Sequence, residues 1–249
     1  MSGDFSSRTN SPGNPPPAGP DRRAGLAAVL FDMDGLLVDS EPLWLEVEKA
    51  VMARLGGSWT AEDQLALLGG SLARSAGYML GKAPAGAATA EQVGHWLVDG
   101  MAGLLATRGV PMRPGARELV TAVAAAGIPH ALVTSSQRRI MDAVLAATGL
   151  RFSVTVCGED VRHSKPHPEP YLRAAALLGQ PPEGCVVLED SPAGIASARA
   201  AGCPVIAVPS IPLTDSDNVV TAGSLREVGL VLLREVAAKP PVRAVSEEF

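Results

Sequence analysis

The sequence predicts an α/β protein in which a doubly wound parallel sheet is interrupted, after its first strand, by an inserted helical unit. Three observations carry this. Five short apolar runs rich in Val, Ile and Leu are continuous rather than alternating, as strands covered on both faces are. From the second run onward helical patterns alternate with them, and each pattern stops at a glycine. Between the first run and the second, residues 38–112 hold no convincing strand. Hydrophobic residues make up 47% of the 249 and aromatics only 4%, so the core must be built from Val-rich strands and Ala-rich helices rather than from rings.

Taken in chain order, residues 1–24 are Ser, Pro, Gly and Asn with almost nothing to bury, and they read as a disordered tail. The first strand is "AAVLFD", residues 27–32. In the insertion, Ser40, Glu41 and Pro42 open one helix. Thr60 with Asp63 can cap a second that ends before Gly69, and Thr89 with Gln92 resembles a capping box for a third that runs to Gly109. Val93, Trp96, Leu97, Met101, Leu104 and Leu105 follow helical spacing and so read as core. The remaining strands are "HALVTS" (130–135), "SVTVCG" (153–158), "CVVLED" (185–190) and "PVIAVP" (204–209). Helices 114–126, 137–148, 168–178 and 192–201 fit between and around them, each followed by glycine. One amphipathic helix, around 224–237, closes the pattern. The expected division is a sheet unit of residues 25–37 and 113–240, a helical unit of 38–112, and a flexible tail of 241–249.

The net charge of −5 and the lack of any basic run argue against nucleic acid or an anionic membrane as partner. Cys157, Cys185 and Cys203 form no CxxC pair and read as buried free thiols in a reducing compartment. The N-terminal stretch lacks the apolar core of a secretory signal, and no later window approaches a membrane span. A cytoplasmic protein, monomeric and acting on a small molecule, is therefore expected.

In an open parallel sheet, ligands bind beyond the carboxyl ends of the strands. The polar residues expected there are Asp32 and Asp34 after the first strand, Thr134 and Ser135 after the second, Lys165 in "HSKPHP" after the third, and Glu189 and Asp190 after the fourth. Four carboxylates converging with no arginine nearby repel one another unless a cation holds them, and a hard oxygen-liganded ion such as Mg²⁺ answers that need. Thr134 and Ser135 end a strand and open a helix, where hydroxyl and backbone N–H groups favour an anion. With Lys165 they form a cradle for phosphate, beside a carboxylate able to act as nucleophile. Glu189-Asp190-Ser191-Pro192 is also a good helix start, with Ser191 as cap.

"DMDG", the threonine ending the second strand, "SKP" and "LEDS" together resemble, in order and spacing, the four motifs of the haloacid dehalogenase superfamily. The helical insertion resembles that family's cap, and "DMDGLLVDSEPLW" with "SKPHPEPYL" is similar to its sugar-phosphate phosphatases, β-phosphoglucomutases being near relatives. The resemblance implies a Mg²⁺-dependent phosphomonoester hydrolase in which Asp32 attacks phosphorus, Asp34 handles the proton, and Lys165 and the metal offset charge. It further implies metal ligation by Asp32, Asp190, the Asp34 backbone carbonyl, and Glu189 directly or through water. Glu41 is a candidate for substrate hydroxyls. A mutase needs a second phosphate site with basic residues in the cap; in "LLGGSLARSA" Leu68 and Leu72 stand where that basic pair is expected, and only Arg74 is near. A catalytically silent binding protein would be expected to lose Asp32, Asp34 or Lys165, and all three are present. His163 and His167 read as surface or supporting groups, His95 and His130 as structural. Trp44, Trp59, Tyr78 and Trp96 are candidate pocket walls, with helical packing the default for most.

Overall fold

The computed structural model describes residues 25–67, 70–209 and 219–239. The two expected tails therefore lie outside the described residues, as does Leu68. The five expected strands form as β1 (Ala28–Phe31), β2 (His130–Val133), β3 (Val154–Val156), β4 (Cys185–Glu189) and β5 (Val205–Ala207). A sixth, β6 (Val220–Thr221), was not legible: two residues carry no periodicity. All neighbours are parallel, in the order β3-β2-β1-β4-β5-β6. β1 lies at the point where the chain, having built outward to β3, returns to place β4 on its other side. Such a reversal opens a crevice at the carboxyl ends of the strands.

Both faces of the sheet are covered, which is why its strands are apolar throughout. Successive side chains still separate by face. Val29 and Phe31 join Leu132, Val186, Leu188 and Ile206 on one side. Ala28 and Leu30 join Ala131, Val133, Val187 and Val205 on the other. The first face is packed by α5 (Ala116–Ala125), α6 (Arg138–Thr148) and α9 (Leu230–Ala237), the second by α7 (Glu169–Leu177) and α8 (Pro192–Ala200). Each fully buried Val, Leu or Ile contributes about 1.5–3 kcal/mol. The last helix starts later than its pattern implied, because residues 225–227 form a separate 3-10 turn capped by Ser224.

Between β1 and β2 the chain forms four helices: α1 (Glu41–Arg54), α2 (Ala61–Leu65), α3 (Leu72–Lys82) and α4 (Ala90–Arg108). Both anticipated capping boxes are present, Thr60 with Asp63 and Thr89 with Gln92. α3 was missed; its Ser71 caps the Arg74 N–H alone, without the reciprocal acid of a box. Val93, Leu97, Met101 and Leu105 are buried and continuous with the first sheet-face core. α4 packs against α1 and α3 and also against α6, joining the insertion to the sheet layer. The two connections run side by side: Val38 bridges Met112, Asp39 N–H donates to Pro111 O at 2.8 Å, and Arg113 N–H donates to Leu37 O at 2.9 Å. Among the described residues no helix is long and apolar enough to cross a membrane.

Candidate active site

The carboxyl ends of β1, β2 and β4 deliver polar groups to one cavity. Asp32, Asp34, Thr134, Ser135, Lys165 and Asp190 line it from the sheet side, and Glu41 with Trp44 and Leu72 from the insertion. All eight residues named from the sequence gather here, although Glu189 supports the floor rather than facing the cavity.

Lys165 organises the floor. Its ammonium donates to Asp32 Oδ1 and Glu189 Oε1, each at 2.6 Å, and to Val133 O at 3.0 Å, and it is 6% exposed. Burial alone would lower its pKa, but the two carboxylates more than offset this, so it stays charged. Burial pushes the Asp32 carboxyl well above the usual range; Lys165 pulls it back while Glu189 and Asp190 push it further up. One buried cation thus faces three buried carboxylates whose oxygens lie within 4.8 Å of one another. That excess negative charge fits a hard divalent cation bound to oxygen.

Glu189 lies in this cluster but is densely engaged. Oε1 also accepts from the Tyr171 hydroxyl at 2.7 Å, and Oε2 accepts from the N–H groups of Asp190 and Ser191 and from the Ser191 hydroxyl, at 3.0–3.1 Å. These donors leave it better placed to fix Lys165 and reach a metal through water than to bind one directly. Ser191 in turn caps α8, as read from the sequence.

Asp34 has a different environment. Oδ1 accepts from the Ser40 hydroxyl at 2.6 Å, and Oδ2 from the hydroxyls of Ser136 at 2.8 Å and Thr134 at 3.2 Å. The side chain is not part of the cluster formed by Asp32, Glu189 and Asp190. Ser40 occupies the N-cap position of α1 but makes no side-chain cap, having spent its hydroxyl on Asp34.

The expectation that Thr134 and Ser135 open a helix needs correction. α6 begins at Arg138 with Gln137 as its N-cap, so a short turn separates the two residues from the helix dipole, whose influence fades beyond the first turn. Thr134 is spent on Asp34 and on the Ser136 N–H. Ser135 is what an anion would meet: its hydroxyl is buried, lines the cavity and has no partner among the described residues.

The sequence reading missed Ser136, Ser40, Tyr171, Glu48 and Gln64. Ser136 was signalled by the third hydroxyl in "TSSQ" and Tyr171 by its place in "SKPHPEPYL", whereas the last two face the cavity only through the packing of the insertion. Gln64 donates to Glu41 Oε2 at 3.1 Å and Glu41 O at 2.7 Å. Burial first, then Asp34 and Asp190, raise the Glu41 carboxyl to about 8. Of the aromatic candidates, Trp44 alone lines the cavity. Trp59 packs edge-on against Tyr78, and Trp96 lies under the Arg54 guanidinium at 3.6 Å. Arg74 donates to Ala66 O and is not among the residues that line the cavity. His130 is buried between two backbone carbonyls, His95 is exposed, and exposed His163 pairs with Glu169. The three cysteines are buried free thiols.

A protein-family model described as haloacid dehalogenase-like hydrolase matches residues 26–202. Hexitol phosphatase B of Escherichia coli K12 is 34% identical over 218 residues, covering 86% of this chain and 96% of that protein. Hexitol phosphatase A of the same organism is 41% identical over 185 residues, covering 72% and 81%. Among solved structures, a mutant CbbY from Rhodobacter sphaeroides in complex with xylulose-(1,5)bisphosphate superposes with a TM-score of 0.77 at 26% identity, covering 84% of this chain and 99% of that one.

Proposed function

The chain belongs to the haloacid dehalogenase-like hydrolases, and from that premise we propose that this phosphatase cleaves a small sugar or polyol phosphate through an aspartyl-phosphate on Asp32. The observation that carries the reading is the separation of the two aspartates into unlike surroundings two residues apart. Asp32 is held by a buried ammonium against acidic neighbours, and Asp34 is ringed by hydroxyls.

An Asp32 carboxylate oxygen attacks phosphorus in line and the bond to the substrate oxygen breaks. Asp34, oriented by Ser40, Thr134 and Ser136, gives its proton to the departing alkoxide. It then takes a proton from the water that hydrolyses the aspartyl-phosphate, and inorganic phosphate leaves. Lys165 offsets charge on the phosphoryl oxygens, and Ser135 donates its otherwise unmatched hydroxyl to one of them. Mg²⁺, held by Asp32, Asp190 and the Asp34 carbonyl with Glu189 behind, would supply further positive charge to the same oxygens. Glu41 accepts from substrate hydroxyls. The buried thiols and the acidic net charge fit a cytoplasmic enzyme whose partner is a small phosphorylated molecule.

Phosphate release from a panel of polyol and sugar phosphates tests this directly. Asp32→Asn is expected to lower turnover by at least about three orders of magnitude, and substantial residual rate would overturn the nucleophile. Asp34→Asn should slow the first burst of alcohol release from alkyl esters far more than the burst of phenol from an activated aryl phosphate, whose leaving group needs no proton, while hydrolysis of the aspartyl-phosphate slows equally for both. A mutase is disfavoured because Leu72 lines the cavity where a cation would be needed and Arg74 is not among its lining residues.

A further inference from the structure

The insertion's side of the cavity is an unusual wall. Its polar members are Glu41, Glu48, Gln64 and Ser75, and among the described residues Lys165 is the only Lys or Arg lining the cavity at all. Arg162 lies in a neighbouring cleft on the outer side of the Lys165 loop. Glu48 stands out within the wall. It is on α1, 6% exposed, and carries no ammonium or guanidinium partner; its one hydrogen bond among the described residues is from Trp59 Nε1 to Oε2, at 2.9 Å. A buried carboxylate in that state is costly unless it is protonated or meets a further donor.

We infer that Glu48 is a specificity-determining residue, which accepts hydrogen bonds from hydroxyls of the leaving group and repels a second anionic group. The inference rests on the proposed phosphatase reading and narrows it to uncharged polyols and sugars, with bisphosphates and carboxylated phosphoesters excluded. Three features converge. Glu48 lines the same cavity as the reacting groups and reaches it from α1 of the insertion. The groups beside it, Glu41 paired with Gln64, and Ser75, make the wall rich in acceptors and free of cations. Burial also raises its carboxyl to about 7 by penalising the charged form, which a donating hydroxyl would stabilise. A site built around polar groups discriminates strongly against a ligand that leaves them unpaired.

The test is steady-state hydrolysis of a hexitol phosphate, a hexose bisphosphate and p-nitrophenyl phosphate by the wild-type enzyme, Glu48→Gln and Glu48→Leu. For Glu48→Leu, kcat/KM on the hexitol phosphate should fall roughly tenfold or more. On the aryl ester, which offers no hydroxyl, it should stay within about threefold. Glu48→Gln keeps an acceptor but not the charge, so it should lose less on the hexitol phosphate and narrow the preference over the bisphosphate. Equal losses on the hexitol and aryl esters would reduce Glu48 to a packing residue and overturn the inference, as would unchanged ratios in both variants. If neither variant folds, competition against aryl phosphate hydrolysis by the wild-type enzyme decides. Hexitol phosphate should compete better than hexyl phosphate or the bisphosphate, and parity overturns the inference. Wild-type enzyme active on the aryl ester but on no polyol phosphate would overturn the substrate reading along with it; polyol turnover with unmoved variants would overturn the inference alone.

Discussion

A Cβ added at Gly194 would sit 1.7 Å from Glu189 Oε1, the oxygen that holds Lys165 and Tyr171. Gly194→Ala must therefore push Glu189 out of its donor set. A stability loss of about 1–3 kcal/mol in urea titration is expected, with kcat falling further than that loss explains. Gly35 is constrained doubly, by φ +81° and by Asp190 Oδ2 at 2.1 Å from its hypothetical Cβ, which accounts for the glycine that follows the two aspartates. Glu48 predicts a pH effect. Its carboxyl ordinarily titrates near 4.5 and is raised to about 7 by burial, so between those values the folded chain binds more protons than the unfolded one. Stability should fall as pH rises through that window, and Glu48→Gln should flatten the decline in denaturant titrations at pH 5 and 7.5. At this scale the sequence was informative about groups that leave strand ends, since Asp32, Glu189 and Asp190 follow from topology, whereas Lys165, in the loop after β3, is carried by its motif. It was silent on Glu48 and Gln64, whose facing depends on how α1 and α2 pack over the sheet.

Helix α4 carries glycines at 94, 100 and 103, and their positions mean different things. A Cβ on Gly100 would come within 2.8 Å of Val47 Cγ1, so this glycine lets α1 and α4 approach, whereas Gly103 is exposed and has nothing within 4 Å. Gly103→Ala should therefore stabilise the protein by about 0.5–1 kcal/mol through helix propensity. Gly100→Ala should destabilise it by forcing the helices apart, and thermal melts of the two variants should move in opposite directions. Elements with complete signals were legible to within a residue or two: β1 to β5, the capping boxes at Thr60 and Thr89, and the helices that end at Gly127, Gly149, Gly179 and Gly202. α3 escaped notice because "LARSAGYMLGK" holds two glycines and lacks the acid that completes a box. β6 is too short for its pattern to exist.

For the molecule as a whole, the heaviest electrostatic burden is three buried carboxylates shared with one lysine. Mg²⁺ present at about a hundredfold over its Kd should add roughly 2.7 kcal/mol of stability. For a chain of this size that raises the melting temperature by about 5–10 °C. Chelator should reverse the shift, Asp190→Asn should abolish it, and no shift in the wild-type protein would count against the metal site. The sheet order was within reach of the sequence because βαβ handedness and the strand succession leave few choices. The seat of the helical insertion was not, because it depends on contacts such as α4 against α6 that join residues distant in the chain. The insertion leaves and re-enters the sheet through two segments bonded to each other, Val38 to Met112 with Asp39 to Pro111 and Leu37 to Arg113 on either side. A body hung on one strand can swivel about it, but a body hung on a two-strand ribbon loses that rotation and can only bend across the ribbon. Any displacement of the helices over the cavity must therefore bend this ribbon rather than twist about one strand, and it must also part α4 from α6.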